Sequence, residues 1–138
     1  MKVLAIGDDD LIKEWVYHSF GVYCTQVNLS AAIIEDEKIV GAVFFHAHNG
    51  PDVELSYYGP NTLTLGILKK ICKIAVDHMG VSRITVRTSK SNKIMNKGIH
   101  KLGWVYEGIR HHAYGDQDAV MYGLFGEKLA RLAGKAMQ

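Results

Sequence analysis

The sequence predicts an α/β domain in which a mixed, mostly antiparallel central sheet of about seven strands is flanked by helices. Three observations predict it. Apolar β-branched runs come in hairpin pairs, single stripes of helical period fall between them, and residues 53–87 form a strand, a turn, a long helix and a strand, the make-up of a parallel crossover. The 138 residues, 48% hydrophobic and 22% charged, read as one domain over 1–138 and exclude a disordered or low-complexity chain. A domain of this size buries roughly 68% of its unfolded surface, so it needs no disulfide or metal staple.

The elements follow in order. Lys2–Ile6 is a short strand. Asp8-Asp9-Asp10 caps a helix whose stripe is Leu11, Ile12, Trp15, Val16 and Phe20, and Gly21 stops it. Ala31–Glu35 and Ile39–His46 are strands of a hairpin around Glu35-Asp36-Glu37-Lys38. Asn49-Gly50-Pro51 turns the chain into the strand Val53–Tyr58. Gly59-Pro60-Asn61-Thr62 breaks that strand, and a long helix begins around Thr62. Its apolar face is Ile67, Leu68, Ile71, Cys72, Ala75 and Met79, and Gly80 closes it. Arg83–Arg87 is a strand, and Asn92 caps a helix with Ile94, Met95, Ile99 and Leu102 facing inward. Trp104–His112 and Ala119–Phe125 are the last strands, and an amphipathic tail starts at Glu127.

Charge is unevenly placed. Residues 1–61 hold three basic and nine acidic side chains, and residues 62–138 hold thirteen basic and five acidic. Arg83, Arg87, Lys90, Lys93, Lys97 and Lys101 follow one another with no acid between, a field that favours an anionic ligand. The run lacks interleaved aromatics, so nucleic acid is not the expected partner. Cys24 and Cys72 are too few for a disulfide framework, and no C-x-x-C pair suggests zinc. The apolar start meets Asp8-Asp9-Asp10, unlike a signal peptide, and no apolar run nears the ~20 residues of a membrane span. A cytoplasmic location without membrane attachment is the expectation. An exposed sheet edge after Phe125 is a place where two chains could pair into a homodimer.

Three stretches resemble the GNAT superfamily of N-acetyltransferases. They are the hairpin Ala31–Val43, the helix end and strand Asp77–Val86, and Asn92 through Lys101-Leu102-Gly103-Trp104-Val105-Tyr106-Glu107-Gly108 with the strand Ala119–Leu124. The third is the most specific, being similar to the family's asparagine, helix and "K-L-G-F-x-x-E-G" segment. The nearest branch by resemblance holds the ribosomal-protein N-terminal acetyltransferases and small phage and bacterial members. The resemblance implies a GNAT-like acyl-CoA N-acyltransferase fold, acetyl-CoA as cofactor and an amine acceptor, either a small molecule or a protein. It also places the pyrophosphate on backbone N–H groups where the long helix begins, which the physics of helix N-termini favours independently.

Here that loop is Pro60-Asn61-Thr62-Leu63-Thr64-Leu65-Gly66. Pro60, Leu63 and Leu65 stand where the family's Q/R-x-x-G-x-G/A motif has a polar residue and two small ones, and Gly66 comes one residue late. Thr62 and Thr64 offer hydroxyls to phosphate. Ser56 and Tyr58 on the preceding strand, with Asn92 at the next helix mouth, complete the expected cofactor site. Asn92 fits a contact to the pantetheine arm and a helix N-cap equally.

An amine nucleophile must shed a proton before attacking a thioester. Glu54 is the first candidate base, and His46 and His48, two apart on a strand, share a face and have a suitable pKa range. The family's tyrosine acid is replaced by Ile99, leaving Tyr57, Tyr58, Tyr106 and Tyr114 as substitutes, with Tyr57 beside the expected oxyanion donors at Ser56-Tyr57. His111 and His112 point to opposite faces of a strand, so no metal site is expected. The rival reading is a module that keeps the fold without catalysis.

Overall fold

The computed structural model describes residues 1–59 and 62–135, apart from the side chain of Ile94. The elements are β1 (Val3–Ile6), α1 (Asp9–Phe20), β2 (Leu29–Glu35), β3 (Lys38–Asn49), β4 (Asp52–Tyr58), α2 (Leu65–Met79), β5 (Arg83–Ser89), α3 (Lys93–Lys101), β6 (Val105–Arg110), β7 (Ala119–Phe125) and α4 (Gly126–Leu132). This is the expected order, and the seven strands form one mixed sheet, β1-β2-β3-β4-β5-β7-β6. Every neighbouring pair is antiparallel except β4 and β5, which α2 joins as a parallel crossover.

Local chemistry sets the ends. Asp8 accepts the amides of Asp10 and Leu11, and Gly21 takes the left-handed C-terminal position of α1 (φ 71°). Asp36 and Glu37 both adopt positive φ, as a two-residue hairpin turn requires. The long helix begins later than the sequence predicts, at Leu65, because the Thr64 hydroxyl accepts the Ile67 amide and makes Thr64 the N-cap.

Strand alternation divides the core. Ile33, Val43, Phe45, Val53 and Leu55 face α2 and α4, packing on Leu68, Ile71 and Cys72. Ala32, Ala42 and Phe44 turn to the other side, against Ile12 and Val16 of α1. Full burial of each large side chain contributes roughly 1.5–3 kcal/mol. Leu11 and Phe20, expected in the core, are instead 58% and 41% exposed, since the short α1 covers the sheet with only a narrow stripe.

β7 lies between β5 and β6, so the chain end after Phe125 offers no free edge. The sheet edges are β1 and β6, and the pairing surface expected after Phe125 is corrected accordingly. β7 doubles back between its neighbours, an order that sequence proximity alone does not reveal.

Candidate active site between two diverging strands

β4 and β5 pair only from Asp52–Arg83 to Glu54–Thr85. Both strands continue beyond that point without pairing, and the gap is a cavity of about 480 Å³. Leu55–Tyr58 form one wall and Val86–Ser89 the other, and Met95, Ile99 and Trp104 close its far side. Alternate residues of Leu55–Tyr58 turn their N–H and C=O groups toward β5 and find no strand there. A second cavity of about 610 Å³ continues past Gly59 along α3, sharing Tyr57, Tyr58, Leu63 and Asn92 with the first.

The loop from β4 to α2 is tied together internally. The Tyr57 hydroxyl meets the Gly59 carbonyl and the Thr62 hydroxyl, and it accepts the Thr62 amide at 3.0 Å. The Thr62 hydroxyl donates to the Gly59 carbonyl at 2.7 Å, and the residue as a whole is 4% exposed. The Thr64 amide donates to the Thr62 carbonyl at 3.1 Å. This corrects three expectations. The Thr62 hydroxyl is spent inside the protein, and bare amides do not begin at Thr62. Tyr57 does not present a free acid, because its proton is directed into the loop.

Unpaired donors lie farther along. The amides of Leu63, Leu65 and Gly66 have no partner among the described residues. A Cβ built on Gly66 would meet only the Thr64 hydroxyl, at 3.9 Å, so its surroundings are open. Leu63 packs against the main core while lining the cavities, whereas Leu65 is half exposed. Pro60 and Asn61 lie outside the described residues. Asn92 lines both cavities and caps α3, accepting the Met95 amide at 3.2 Å.

Gly59 explains the tightness of the loop. Its φ is +130°, and a Cβ there would stand 2.7 Å from the Gly41 Cα and the Val40 carbonyl. Only glycine lets β3 and the end of β4 approach so closely.

On the α1 side of the same strands, Glu54, Ser56 and Tyr58 alternate outward. Glu54 Oε2 lies 3.5 Å from His46 Nδ1 and 3.5 Å from Arg87 Nη2, and the Ser56 hydroxyl lies 2.7 Å from His46 Nε2. Burial pulls the pKa of His46 below its ordinary value, Glu54 opposes this, and Arg87 adds to it. His46 is therefore neutral near pH 7. Burial above all, with the neighbouring Cys24, pushes the Tyr58 hydroxyl well above the ordinary range of a phenol.

His48 does not join His46. Ala47 takes φ 51° and the β3–β4 register breaks there, so the alternation that would align the two rings is interrupted. His111 and His112 are engaged with Asp118 and the Gly115 carbonyl. Arg83 and Arg87, part of the basic run, are ion-paired with Glu107 and Glu54, which reduces the field expected there. No helix among the described residues is long and apolar enough to cross a membrane.

The sequence did not single out Arg87 or Trp104 for this site. Trp104 is 3% exposed and lines the cavity, and its indole N–H has no partner among the described residues. A tryptophan inside an apolar pattern reads as core, and nothing local announces an orphaned N–H.

No protein-family model and no curated protein matches the chain. Solved structures do. The dodecameric spermidine N-acetyltransferase from Vibrio cholerae superposes with a TM-score of 0.76 at 9% identity, over 98% of this chain and 98% of that one. A chimera of that enzyme gives 0.75 at 10% identity, over 94% and 98%. A structure named as a probable acetyltransferase gives 0.63 at 15% identity over 82% of this chain. The chain spans 66% of that protein and 63% of a second acetyltransferase of similarly provisional naming. The fold is therefore that of the N-acetyltransferases. At these identities the likeness is one of fold, and the chemistry has to be argued from the residues.

Proposed function

We propose that the chain is an acetyl-CoA-dependent N-acetyltransferase that transfers an acetyl group to a primary amine by direct attack on the thioester. The observation that carries this is the separation of β4 from β5 after Glu54 and Thr85, which leaves backbone donors facing an apolar cavity. The residues present suit such a donor. Alternate amides of Leu55–Tyr58 face the place for an acyl oxygen, and the Trp104 N–H supplies a buried donor to an amide arm. The amides of Leu65 and Gly66, at the positive end of α2, suit a diphosphate. Asn92 borders the arm's path, Ser56, Tyr58 and Leu63 shape the walls, and Thr64 caps the helix whose amides would meet the diphosphate. The spermidine N-acetyltransferase likeness supports an amine acceptor. A protein N-terminus, a lysine and a small amine remain the acceptor classes, and the ribosomal-protein acetyltransferase branch stays part of this proposal.

The internal bonding of the Thr62 and Thr64 amides and of the Tyr57 hydroxyl favours a second reading, a module with the fold alone. One measurement separates the two. Ligand present at 100 times its Kd stabilises a native state by about 2.7 kcal/mol. Acetyl-CoA is expected to raise Tm and the chain to acetylate a member of an amine panel. No shift at millimolar acetyl-CoA overturns the enzyme.

A further inference from the structure

A third cavity opens on the α1 side, between residues 22–27 and the strands β3 and β4. It has a volume of about 250 Å³. Ser56 and Tyr58 line both this groove and the cavity between β4 and β5. The two spaces thus share these two residues, and the Ser56 hydroxyl is hydrogen-bonded to the His46 imidazole. Among the described residues, those lining the groove include no carboxylate, lysine or arginine, and Tyr23, Phe44 and Tyr58 give it aromatic faces.

We infer that this groove admits the amine acceptor and that His46, acting through Ser56, removes its proton. The inference rests on the transferase reading above. The ammonium gives one proton to Ser56 Oγ as Ser56 passes its own to His46 Nε2, leaving a neutral amine. The amine nitrogen bonds to the thioester carbonyl carbon and the C–S bond breaks. The sulfur leaves as thiolate and takes the proton that the acylated nitrogen sheds. His46 then returns its proton to water, so the sum is amide, thiol and one proton from ammonium and thioester.

The surroundings of His46 suit this part. Glu54 on β4 steadies Nδ1, Arg87 on β5 offsets the charge of Glu54, Cys24 and Tyr58, whose pKa values burial raises, face the groove in neutral form, and Tyr23 lines it beside them. His48 on the same strand is exposed and bonds through its backbone to Asn28. Glu54 and Arg87 are positioning residues in this scheme, while Ser56 touches the amine. A lining without a carboxylate selects an amine on an uncharged arm, such as butylamine, over a polyamine.

The test compares wild type, His46→Gln and Ser56→Ala across pH 5.5–9.5 with butylamine and spermidine, following thiol release, while NMR follows the His46 ring. Expected are a His46 titration below its ordinary pKa and a matching acidic limb in kcat/KM. In His46→Gln that limb is expected to be lost and the rate to fall about 10²–10⁴-fold, with the acetyl-CoA shift in Tm unchanged. A His46→Gln rate within threefold of wild type overturns the role of His46. Acetylated Ser56 in the intact-mass spectrum also overturns it, because the serine is then a nucleophile. Spermidine preferred more than tenfold over butylamine overturns the acceptor class. A wild type that binds acetyl-CoA and acetylates no amine sinks the transferase reading itself, a result distinct from the other three.

Discussion

Arg87 Nη2 stands 3.5 Å from Glu54 Oε2, across the boundary where β4 and β5 stop pairing. Glu54 is the last residue of β4 paired with β5, and Arg87 is two residues beyond its partner Thr85. The ion pair therefore closes one side of the gap, and its carboxylate also reaches the His46 ring. A carboxylate held between these two side chains orients both of them.

Removing either charge moves the titration of His46 in opposite directions. Glu54 raises the His46 pKa and Arg87 lowers it. Glu54→Gln is expected to shift the acidic limb of the pH–rate profile downward, and Arg87→Met upward. Loss of the orienting contact in Glu54→Gln costs roughly 1.5 kcal/mol, or about tenfold in kcat/KM. A loss of several thousandfold in Glu54→Gln, measured by initial rates, would make Glu54 the base instead.

Tyr57→Phe separates a structural hydroxyl from an acid. Deletion leaves the Thr62 amide without its acceptor, which costs about 1–2 kcal/mol and shows as a lower Tm. The expected kcat loss is under tenfold, together with weaker acetyl-CoA binding. A fall of about 10²–10⁴-fold in kcat at unchanged stability would restore Tyr57 as the proton donor.

Gly66→Asp tests the helix N-terminus. The added side chain has room, and an acid in the first turn of α2 stabilises the helix by about 0.3–1 kcal/mol. The same charge repels a diphosphate. The apo protein is expected to melt at the same or a higher temperature, and the acetyl-CoA shift is expected to shrink or vanish. An undiminished shift would place the diphosphate elsewhere.

Trp104→Phe removes the orphaned indole N–H while keeping most of the ring. A buried donor without a partner costs about 1–3 kcal/mol, so the loss of packing volume is partly offset and the apo Tm changes little. Acetyl-CoA affinity, measured by calorimetry, is expected to fall about five- to tenfold. Unchanged affinity would mean that the indole serves the core alone.

Acidification should cost stability through His46. Its folded pKa lies below the unfolded value of 6.5, so between the two the unfolded chain binds more protons and stability rises with pH. The stability is intact above 6.5 and is lost as pH falls toward the folded value. Urea unfolding at pH 7.5 and 5.5 should show a larger loss in wild type than in His46→Gln. Equal losses would mean that the ring is not buried in the neutral form.

The sequence by itself determined the element order, the sheet class and the two apolar faces. These depend on periodicity and on local punctuation, such as Gly21 and Gly80 after their helices and the Asp36-Glu37 turn. It also placed Glu54, Ser56, Tyr57 and Tyr58 on the strand that borders the cavity. Only the tertiary structure decided what those side chains do. The parting of β4 from β5, the pairing of Arg87 with Glu54, the bond from His46 to Ser56 and the unpartnered Trp104 N–H all join or leave residues that lie on different elements. Hydrogen bonds and ion pairs act over about 3–4 Å in space, whatever the separation along the chain. A strand register and one left-handed residue, Ala47, choose which of two neighbouring histidines enters the site.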